Sequence, residues 1–248
     1  MPRSVEPEWL DTLDPEDPRA SRSRRDLQRV NRVMGNVSII ARAWRTAQPD
    51  NHQPRPRLIV ELGAGDGTFL LRLVRGMQQA RQQEQGGTIV FVDQQSLVSE
   101  NTRAAFNGLG WKVDCVEADV LAWLQQASAG AASLGAPSSS SIDLMLANLF
   151  LHHFHPPQLT QVLASVATQA NLFVACEPRR SHTALAGSFL LGALGCNDVS
   201  RHDAVISVRA GFADQELSAL WPASPQYRLK EYAAGLFSHC FVAQRIPL

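Results

Sequence analysis

The feature that most constrains the fold is a short apolar run that ends in a glycine-rich turn. Residues 58–68 read LIVELGAGDGT, and a helical pattern of apolar residues follows as far as Gln82. Glycines at alternate positions allow the backbone to turn sharply after a strand and to approach a ligand closely, where a Cβ would collide. The segment therefore predicts a strand, a ligand-binding turn and a helix, which together begin an α/β sheet.

The spacing of this turn differs from that of the dinucleotide fingerprint. A dinucleotide site requires GxGxxG, because the pyrophosphate sits on the N-terminus of the following helix. Here the spacing is GxGxG, and Glu61 precedes it. A carboxylate beside the ligand suits a cationic amine and sulfonium better than a diphosphate, by charge complementarity. A glycine-rich turn without a ligand is the alternative.

From Arg57 onward, short β-type runs alternate with helical stretches. Strands separated by helices indicate right-handed βαβ crossovers and a parallel sheet. The predicted fold is α/β, a doubly wound and mostly parallel seven-stranded sheet with a C-terminal antiparallel hairpin. The predicted strands are 58–62, 88–92, 112–116, 142–147 and 172–176, followed by the hairpin runs 227–232 and 237–244; the predicted helices are 68–82, 96–109, 120–126, 157–169 and 214–220.

Two parts of the chain are predicted: an N-terminal arm with an amphipathic helix over 1–56, and one catalytic domain over 57–248. Apolar positions recur at helical spacing from Asp26, a candidate N-cap, to Trp44. This helix is expected to pack over the opening of the site, or else on the flank of the sheet. Residues 1–25 contain few apolar side chains, so the arm is expected to be partly ordered at most.

Three further segments have a distinct composition. The polar, proline-bearing residues 49–56 predict a linker, and the Ala, Gly and Ser residues of 128–141 predict a flexible surface loop. An apolar, glycine-containing helix over 183–195 predicts a lid, within an insertion around 181–211.

Composition limits the cellular setting. With 248 residues, 45% hydrophobic and 19% charged, the chain is typical of one soluble domain, and a net charge of +0 gives no general attraction to nucleic acid or anionic lipid. The four cysteines form no CxxC pair and are expected to be reduced core residues. No signal peptide and no apolar run of about 20 residues is present, so a cytoplasmic location without membrane contact is expected.

The turn over 61–67, with acidic residues after the next two strands, resembles class I S-adenosylmethionine-dependent methyltransferases of the bacterial small-molecule branch. The resemblance covers Arg57 to the C-terminus. It implies S-adenosylmethionine as the methyl donor and S-adenosylhomocysteine as product, with Asp93 on the ribose hydroxyls and Asp119 on the adenine. A turn role for Asp93 and a helix N-cap role for Asp119 are the alternatives. The implied donor-binding residues are Glu61, Gly63, Ala64, Gly65, Gly67, Asp93, Gln94, Ala118, Asp119, Val120 and Asn148.

Residues 148–154, NLFLHHF, resemble the segment that lines the methyl-transfer site in small-molecule members. They lack the Asn/Asp-Pro-Pro-aromatic motif of enzymes that methylate DNA adenine. The candidate catalytic residues are His152, His153 and His202. Adjacent helical side chains point about 100° apart and no CxxC or HExxH accompanies them, so no metal is predicted. His202 can act with Asp203 only if the backbone brings them together; a salt-bridged surface loop is the alternative.

A cluster of polar and charged residues follows the fifth strand. It is expected at the carboxyl edge of the sheet, where α/β enzymes place substrates. The candidate substrate-binding residues are Arg179, Arg180 and Arg209.

The function predicted is O- or C-methylation of a small phenolic, quinone-like or polyketide-like acceptor by in-line displacement. Two other classes stay open: an RNA or protein methyltransferase, from the arginine-rich helix over 22–45, and a non-catalytic partner protein with the same fold. A homodimer is compatible with the sequence, and nucleic acid is not an expected partner.

Overall fold

The computed structural model describes residues 1–47, 56–81, 86–128 and 142–246. The predicted linker over 49–56 and the predicted loop over 128–141 lie outside these ranges, apart from residues 56 and 128. The proposed domain boundary at 56/57 falls beside the first gap and stays a prediction.

Seven strands form one sheet in the order β3-β2-β1-β4-β5-β7-β6. The first five are parallel, and β7 runs antiparallel to both β5 and β6. The predicted fold class is therefore confirmed. The strands are β1 (Leu58–Leu62), β2 (Gly87–Asp93), β3 (Trp111–Glu117), β4 (Leu144–Asn148), β5 (Leu172–Pro178), β6 (Tyr227–Ala234) and β7 (Ser238–Arg245).

Ten helices occur in the described part of the chain: α1 (Trp9–Thr12), α2 (Pro18–Met34), α3 (Asn36–Ala47), α4 (Thr68–Arg81), α5 (Glu100–Asn107), α6 (Val120–Ser128), α7 (Pro156–Gln169), α8 (His182–Phe189), α9 (Asp198–Ala210) and α10 (Glu216–Leu220). Short 3-10 turns follow β4 and α8, at Leu151–His153 and Leu190–Gly192.

The sheet has a core on each face, which explains the unbroken apolar run of β1. Val60 packs in the core beneath α6 and α7, whereas its neighbour Ile59 packs in the core beneath α3 and α4. Successive strand residues point to opposite faces, so a strand covered on both sides must be apolar throughout. The carboxyl ends of β1, β2, β4 and β5 consequently meet at one edge, where the turn over 61–67 lies.

The N-terminal region differs from the prediction. The helix begins at Pro18 with Asp17 as N-cap, because proline suits the first helical position, and it ends at Gly35, whose φ is +72°. A second helix, α3, follows. Asp26 is not a cap: it is buried inside α2, where its carboxylate accepts a hydrogen bond from Asn197 N at 2.8 Å.

Three other segments also differ. Residues 1–17 are not loosely attached, since Ser4 N donates to Arg209 O at 3.2 Å and further contacts follow below. The segment that contains His202 and Arg209 is not a loop but helix α9, capped by Asn197. The predicted lid helix over 183–195 is shorter, since α8 ends at Phe189 and a 3-10 turn follows.

Candidate functional site

The glycine turn between β1 and α4 has the left-handed backbone that its sequence indicates. Its glycines have φ of +65° (Gly63), +55° (Gly65) and +71° (Gly67). A Cβ on Gly63 would lie 2.1 Å from the Phe150 ring, so packing within the protein requires this glycine. A Cβ on Gly65 would meet no described atom within 4 Å. Gly65 therefore faces open space, where a ligand can approach the backbone.

Glu61 places a carboxylate beneath this turn. Its side chain is buried, and Oε2 has no hydrogen-bond partner within the described part of the chain. Burial, with the nearby charges of Asp66 and Asp93, raises the pKa of Glu61 well above its ordinary value. A buried acceptor without a partner is costly. A cationic ligand would supply the missing compensation, so this carboxylate fits a positively charged donor.

Asp93 lies at the end of β2 and contacts the turn directly. Its Oδ2 accepts a hydrogen bond from Gly65 N at 2.8 Å, and its Oδ1 accepts one from Gln95 N at 2.9 Å. The side chain therefore has a turn role, as the alternative interpretation held. Each carboxylate oxygen has a second lone pair, so both remain able to accept from a vicinal diol.

The ends of β2 and β3 bring Gln94 and Asp119 together. Asp119 Oδ2 accepts a hydrogen bond from Gln94 Nε2 at 3.0 Å, and its Oδ1 accepts one from Ala122 N at 2.9 Å in the first turn of α6. The residues on either side of Asp119 have other contacts. Ala118 N donates to Asp93 O at 2.9 Å, and the Val120 side chain is buried. Asp119 therefore acts as a helix cap, and its exposed side chain leaves the adenine role open as a prediction.

Asn148, predicted to bind the donor, joins β4 to the N-terminal helices. It donates to Asn31 Oδ1 at 3.0 Å and accepts from Asn36 Nδ2 at 3.0 Å. Close by, Gln28 Nε2 donates to Asp66 Oδ2 at 2.6 Å. Helix α2 thus contacts the glycine turn, whereas α3, the second half of the predicted helix, packs on the flank of the sheet, where Ile40 and Trp44 are buried. Sequence reasoning missed Gln28 and Asn31, because such contacts across the chain have no local signature.

Phe150 follows β4 and was not among the predicted site residues. Its ring lies against Gly63, and its centre is 6.3 Å from that of His153 and 5.1 Å from that of Phe154. Leu149 before it has φ of +53°, and its N–H donates to Cys176 O at 2.9 Å. A bulky aromatic residue directly after β4, at the sheet edge where the glycine turn lies, is the sequence signal that could have identified Phe150.

His152 is buried between two carboxylates. Its Nδ1 lies 2.8 Å from Glu177 Oε2, and its Nε2 lies 3.2 Å from Glu8 Oε1. Burial alone would lower the pKa of His152, but the hydrogen bonds with Glu177 and Glu8 outweigh burial and raise the pKa to about 9. Burial alone would raise the pKa of Glu8, but the hydrogen bond with His152 and the nearby histidine charges lower it to about 2. Both ring nitrogens are thus engaged.

Glu177 organises the chain that carries the two histidines. Its Oε1 accepts hydrogen bonds from Phe150 N at 3.1 Å and from Leu151 N at 2.9 Å, while Oε2 faces the His152 ring. Glu177, the last residue but one of β5, is fully buried and was not predicted as a site residue. Its partners lie about 25 residues away in sequence, which hides the contact from pattern reasoning.

His153 lies beside His152 in the 3-10 turn, with ring centres 4.3 Å apart. Its Nδ1 is 3.3 Å from Asp11 Oδ2, and its side chain is 27% exposed. Ligand atoms of Glu8, His152 and His153 all lie within 4.8 Å of one another. The sequence argument that adjacent histidines point too far apart to share an ion therefore does not hold for this turn.

His202 does meet Asp203, with Nδ1 3.0 Å from Oδ1. However, the Asp203 carboxylate also accepts hydrogen bonds from Trp9 N at 2.8 Å and Leu10 N at 3.0 Å. The Trp9 indole stacks on the His202 ring, with centres 3.7 Å apart. Burial raises the pKa of Asp203. The pair therefore fastens the N-terminal arm to α9, and its catalytic role stays a prediction.

The three predicted substrate arginines have different surroundings. Arg180 is buried in an ion pair with Glu216 and also donates to Gly211 O at 2.7 Å. Arg179 donates to Gly235 O at 3.3 Å, and Arg209 is exposed in the last turn of α9. The structure does not gather them around one ligand, and their substrate role stays a prediction.

Arg3 makes further contacts that attach the N-terminus. From here on, the arm means residues 1–13 only, a shorter segment than the arm predicted from the sequence. Arg3 donates to Ala210 O at 2.7 Å, to His152 O at 3.1 Å and to Phe154 O at 3.0 Å. Its guanidinium lies 4.7 Å from the centre of the Phe212 ring. The arm therefore borders the chain that follows β4. Its proline-rich, charged sequence gave no sign of this.

Comparisons with known proteins give structural likeness only. No family model matches the chain, and no curated protein matches it significantly. Plantazolicin methyltransferase BpumL in complex with SAH superposes with a TM-score of 0.62 at 12% identity, covering 93% of this chain and 92% of that one. Magnesium protoporphyrin IX methyltransferase ChlM from Synechocystis PCC 6803, with bound SAH, gives a TM-score of 0.52 at 14% identity, covering 91% and 94%.

A third solved structure, an O-methyltransferase family protein from Burkholderia thailandensis, gives a TM-score of 0.53 at 17% identity over 93% of this chain and 60% of that one. Among the described helices, none combines the length and apolarity needed to cross a membrane. The strand order and these superpositions together identify the fold as the Rossmann-like fold of class I methyltransferases.

Proposed function

We propose that the protein is an S-adenosylmethionine-dependent methyltransferase whose acceptor is a small phenolic, quinone-like or polyketide-like molecule. The observation that supports this most directly is the buried carboxylate of Glu61, whose Oε2 has no hydrogen-bond partner among the described residues, just before a turn in which a Cβ on Gly65 would meet no described atom. A fold can host many functions, so the proposal depends on this site and not on the fold alone. The solved neighbours bound to SAH agree with it.

Each part of the proposed donor has a matching group. Glu61 offers negative charge to the amine and sulfonium, and Asp93 offers two oxygens to the ribose hydroxyls. Gln94 and Asp119, hydrogen bonded to each other at 3.0 Å, border the position expected for the adenine. When bound, the donor supplies a methyl group on a cationic sulfur, which leaves as a neutral thioether.

The protein contributes chiefly by positioning. An in-line displacement gains rate when the nucleophile and the methyl carbon are held in line at near-attack distance and water is kept out. Phe150 beside Gly63, with helix α2 held to the turn through Gln28, encloses this end of the site. These groups bind, orient and exclude water.

A base that would ionise a phenolic acceptor, whose ordinary pKa is about 10, is harder to identify. Both nitrogens of His152 are engaged with carboxylates, and the His202 ring is covered by Trp9. His153 is the most accessible of the pair after β4, but its Nδ1 faces Asp11. A histidine base therefore stays a prediction for all three.

Donor binding tests the proposal through the charge of Glu61. Because burial raises the pKa of Glu61 in the free protein and a cation favours the ionised form, donor binding should release protons, and affinity should rise with pH. We expect calorimetry in two buffers below about pH 7, where the donor amine stays charged, to show proton release with S-adenosylmethionine. S-adenosylhomocysteine, which lacks the sulfonium, should show a smaller pH dependence.

The variant Glu61→Gln should lose most of this pH dependence and bind the donor at least about tenfold more weakly, equivalent to 1.4 kcal/mol. Glu100→Gln, whose parent side chain is 93% exposed, serves as the matched control and should bind normally. The proposal is wrong if the wild-type protein binds no donor, or if it binds a nicotinamide dinucleotide in preference.

The arginine-rich α2 gives no specific support to an RNA substrate. Arg22 donates to Gly195 O, Arg24 to Pro15 O and Arg29 to Asp26, so part of its basic face serves internal contacts.

A further inference from the structure

Two segments far apart in sequence bring together side chains of the types that bind metals. They meet near the glycine turn over 61–67. Glu8 comes from the arm, whereas His152 and His153 come from the 3-10 turn after β4. We define these three residues as the arm cluster. Their ligand atoms lie within 4.8 Å of one another, and His152 is 2% exposed.

Each histidine of the arm cluster is oriented by its own carboxylate. Nδ1 of His152 lies 2.8 Å from Glu177, and Nδ1 of His153 lies 3.3 Å from Asp11. Histidines that ligate metals typically donate their other ring N–H to a carboxylate, which fixes the tautomer and the ring orientation. In both rings this arrangement leaves Nε2 as the ligand atom.

The distances agree with ligands that share one ion. Ligand atoms about 2.1 Å from a metal are roughly 3.0 Å apart at a right angle and roughly 3.4 Å apart at a tetrahedral angle. His152 Nε2 and Glu8 Oε1 are 3.2 Å apart. From the same bond length, two imidazoles on one ion have ring centres roughly 4.5 Å apart at a right angle and roughly 5.3 Å apart at a tetrahedral angle, so a tetrahedral ion requires the rings to move apart slightly. The observed separation is 4.3 Å.

We propose that Glu8, His152 and His153 bind a divalent transition-metal ion, with zinc as the first choice. Two imidazoles and one carboxylate suit zinc or its neighbours better than magnesium or calcium, which prefer oxygen ligands. His153 is the most exposed member, at 27%, so it gives the ion an entry path, and its side chain is the one with most freedom to adjust the ligand separations, which are at most 4.8 Å. Binding of the ion cross-links the arm to the end of β4.

Three protein ligands leave a coordination position open, as in catalytic zinc sites. The His153 ring centre lies 6.3 Å from that of Phe150, whose ring packs on Gly63 of the glycine turn, so an acceptor near the turn is close to the arm cluster. An acceptor hydroxyl that occupies the open coordination position loses its proton to solvent at neutral pH, since a bound zinc ion lowers the pKa of an oxygen ligand. The resulting oxyanion keeps the electron pair that attacks the methyl carbon. This role rests on the proposed function, whereas metal binding itself does not.

The test uses tag-free, full-length protein, freed of metal by a chelator and titrated with zinc chloride or cobalt chloride. We expect about one ion per chain by mass spectrometry after gel filtration, and visible ligand-field absorption with cobalt that zinc abolishes. Glu8→Gln and His153→Gln should each weaken binding by at least tenfold. His182→Gln removes an exposed histidine of α8 that belongs neither to the arm nor to the arm cluster, so this control should bind metal normally.

Two outcomes overturn the proposal. The first is folded protein that takes up no zinc or cobalt, which would make the arm cluster a proton-bridged ion pair. The second is metal binding that persists unchanged in Glu8→Gln and His153→Gln, which would place the ion elsewhere. Donor titration of the same samples keeps the two proposals apart, because the donor contacts Glu61 and Asp93 and does not require the arm cluster.

Discussion

The donor side and the arm side of the candidate site are built in different ways. On the donor side, Glu61, Gly63 and Gly65 lie within five consecutive positions, and Asp93 lies at the end of the next strand. On the arm side, Glu8 meets His152, a residue 144 positions away. A local motif carries its geometry in its own backbone, whereas the arm side exists only once the whole chain has folded.

This difference determines which substitutions each side tolerates. The glycine turn depends on backbone conformations that a single Cβ disturbs. The arm side depends on buried polar contacts between distant segments, where removing one partner leaves the others without compensation. Substitutions on each side therefore have distinguishable effects on stability and on ligand binding.

The largest effect on stability is expected at Glu177. Its carboxylate binds residues 150–152, and this segment contacts both the glycine turn and the arm. Glu177→Gln removes the charge that faces His152 and weakens the acceptor of two backbone N–H groups. We expect a loss of about 3–5 kcal/mol in the free energy of unfolding, measured by urea denaturation. Glu117→Gln, on an exposed glutamate at the end of β3, should lie within about 0.5 kcal/mol of wild type. Equal effects of the two would break the assignment of Glu177 as an anchor.

The next effect distinguishes two glycines of one turn. Gly63→Ala combines a left-handed φ with a Cβ only 2.1 Å from the Phe150 ring, so we expect a loss of about 2–4 kcal/mol in stability. Gly65→Ala meets no described atom and should lose only about 1–2 kcal/mol, yet bind the donor at least tenfold more weakly.

Thermal denaturation of the free proteins and calorimetry with S-adenosylmethionine measure the two effects separately. A Gly65→Ala variant with wild-type donor affinity would show that this part of the turn does not face the ligand.

The smallest effect is expected on the arm side, at Trp9. Its indole is 47% exposed and stacks on His202, so Trp9→Ala should lower stability by only about 1 kcal/mol. Because the contact holds the arm, trypsin should cleave after Arg3, the basic residue of the arm, several-fold faster. Leu236→Ala, at a side chain 60% exposed, is the control and should leave the cleavage rate unchanged. An unchanged rate in Trp9→Ala would show that the stack does not fasten the arm.

The sequence allowed the sheet and the backbone of the glycine turn to be predicted, because both follow from local sequence patterns. The unbroken apolar run of β1 and the glycine spacing after it have few structural solutions. The first seventeen residues were misjudged for the opposite reason: they have little apolar surface, and they attach through hydrogen bonds from Arg3, Glu8 and the backbone of Trp9. Such contacts depend on partners that no nearby residue specifies.

The histidine pair shows the same limit at one position. An ideal helical angle placed the two rings apart, whereas the 3-10 turn, held by Glu177 and preceded by the left-handed Leu149, brings them within 4.3 Å. Helical geometry was the wrong template for a turn whose path is set by a carboxylate on another strand.

The position of Phe150 gives the molecule a mechanical link. Its ring rests on Gly63, and its N–H is tied to the same carboxylate that holds His152. A molecule that displaces this ring on entering the turn must pull on the segment that carries both histidines. Ligand binding at the glycine turn would then change the rate of amide exchange in residues 1–13. These residues are more than 100 positions away along the chain, but Arg3 contacts the segment that follows Phe150.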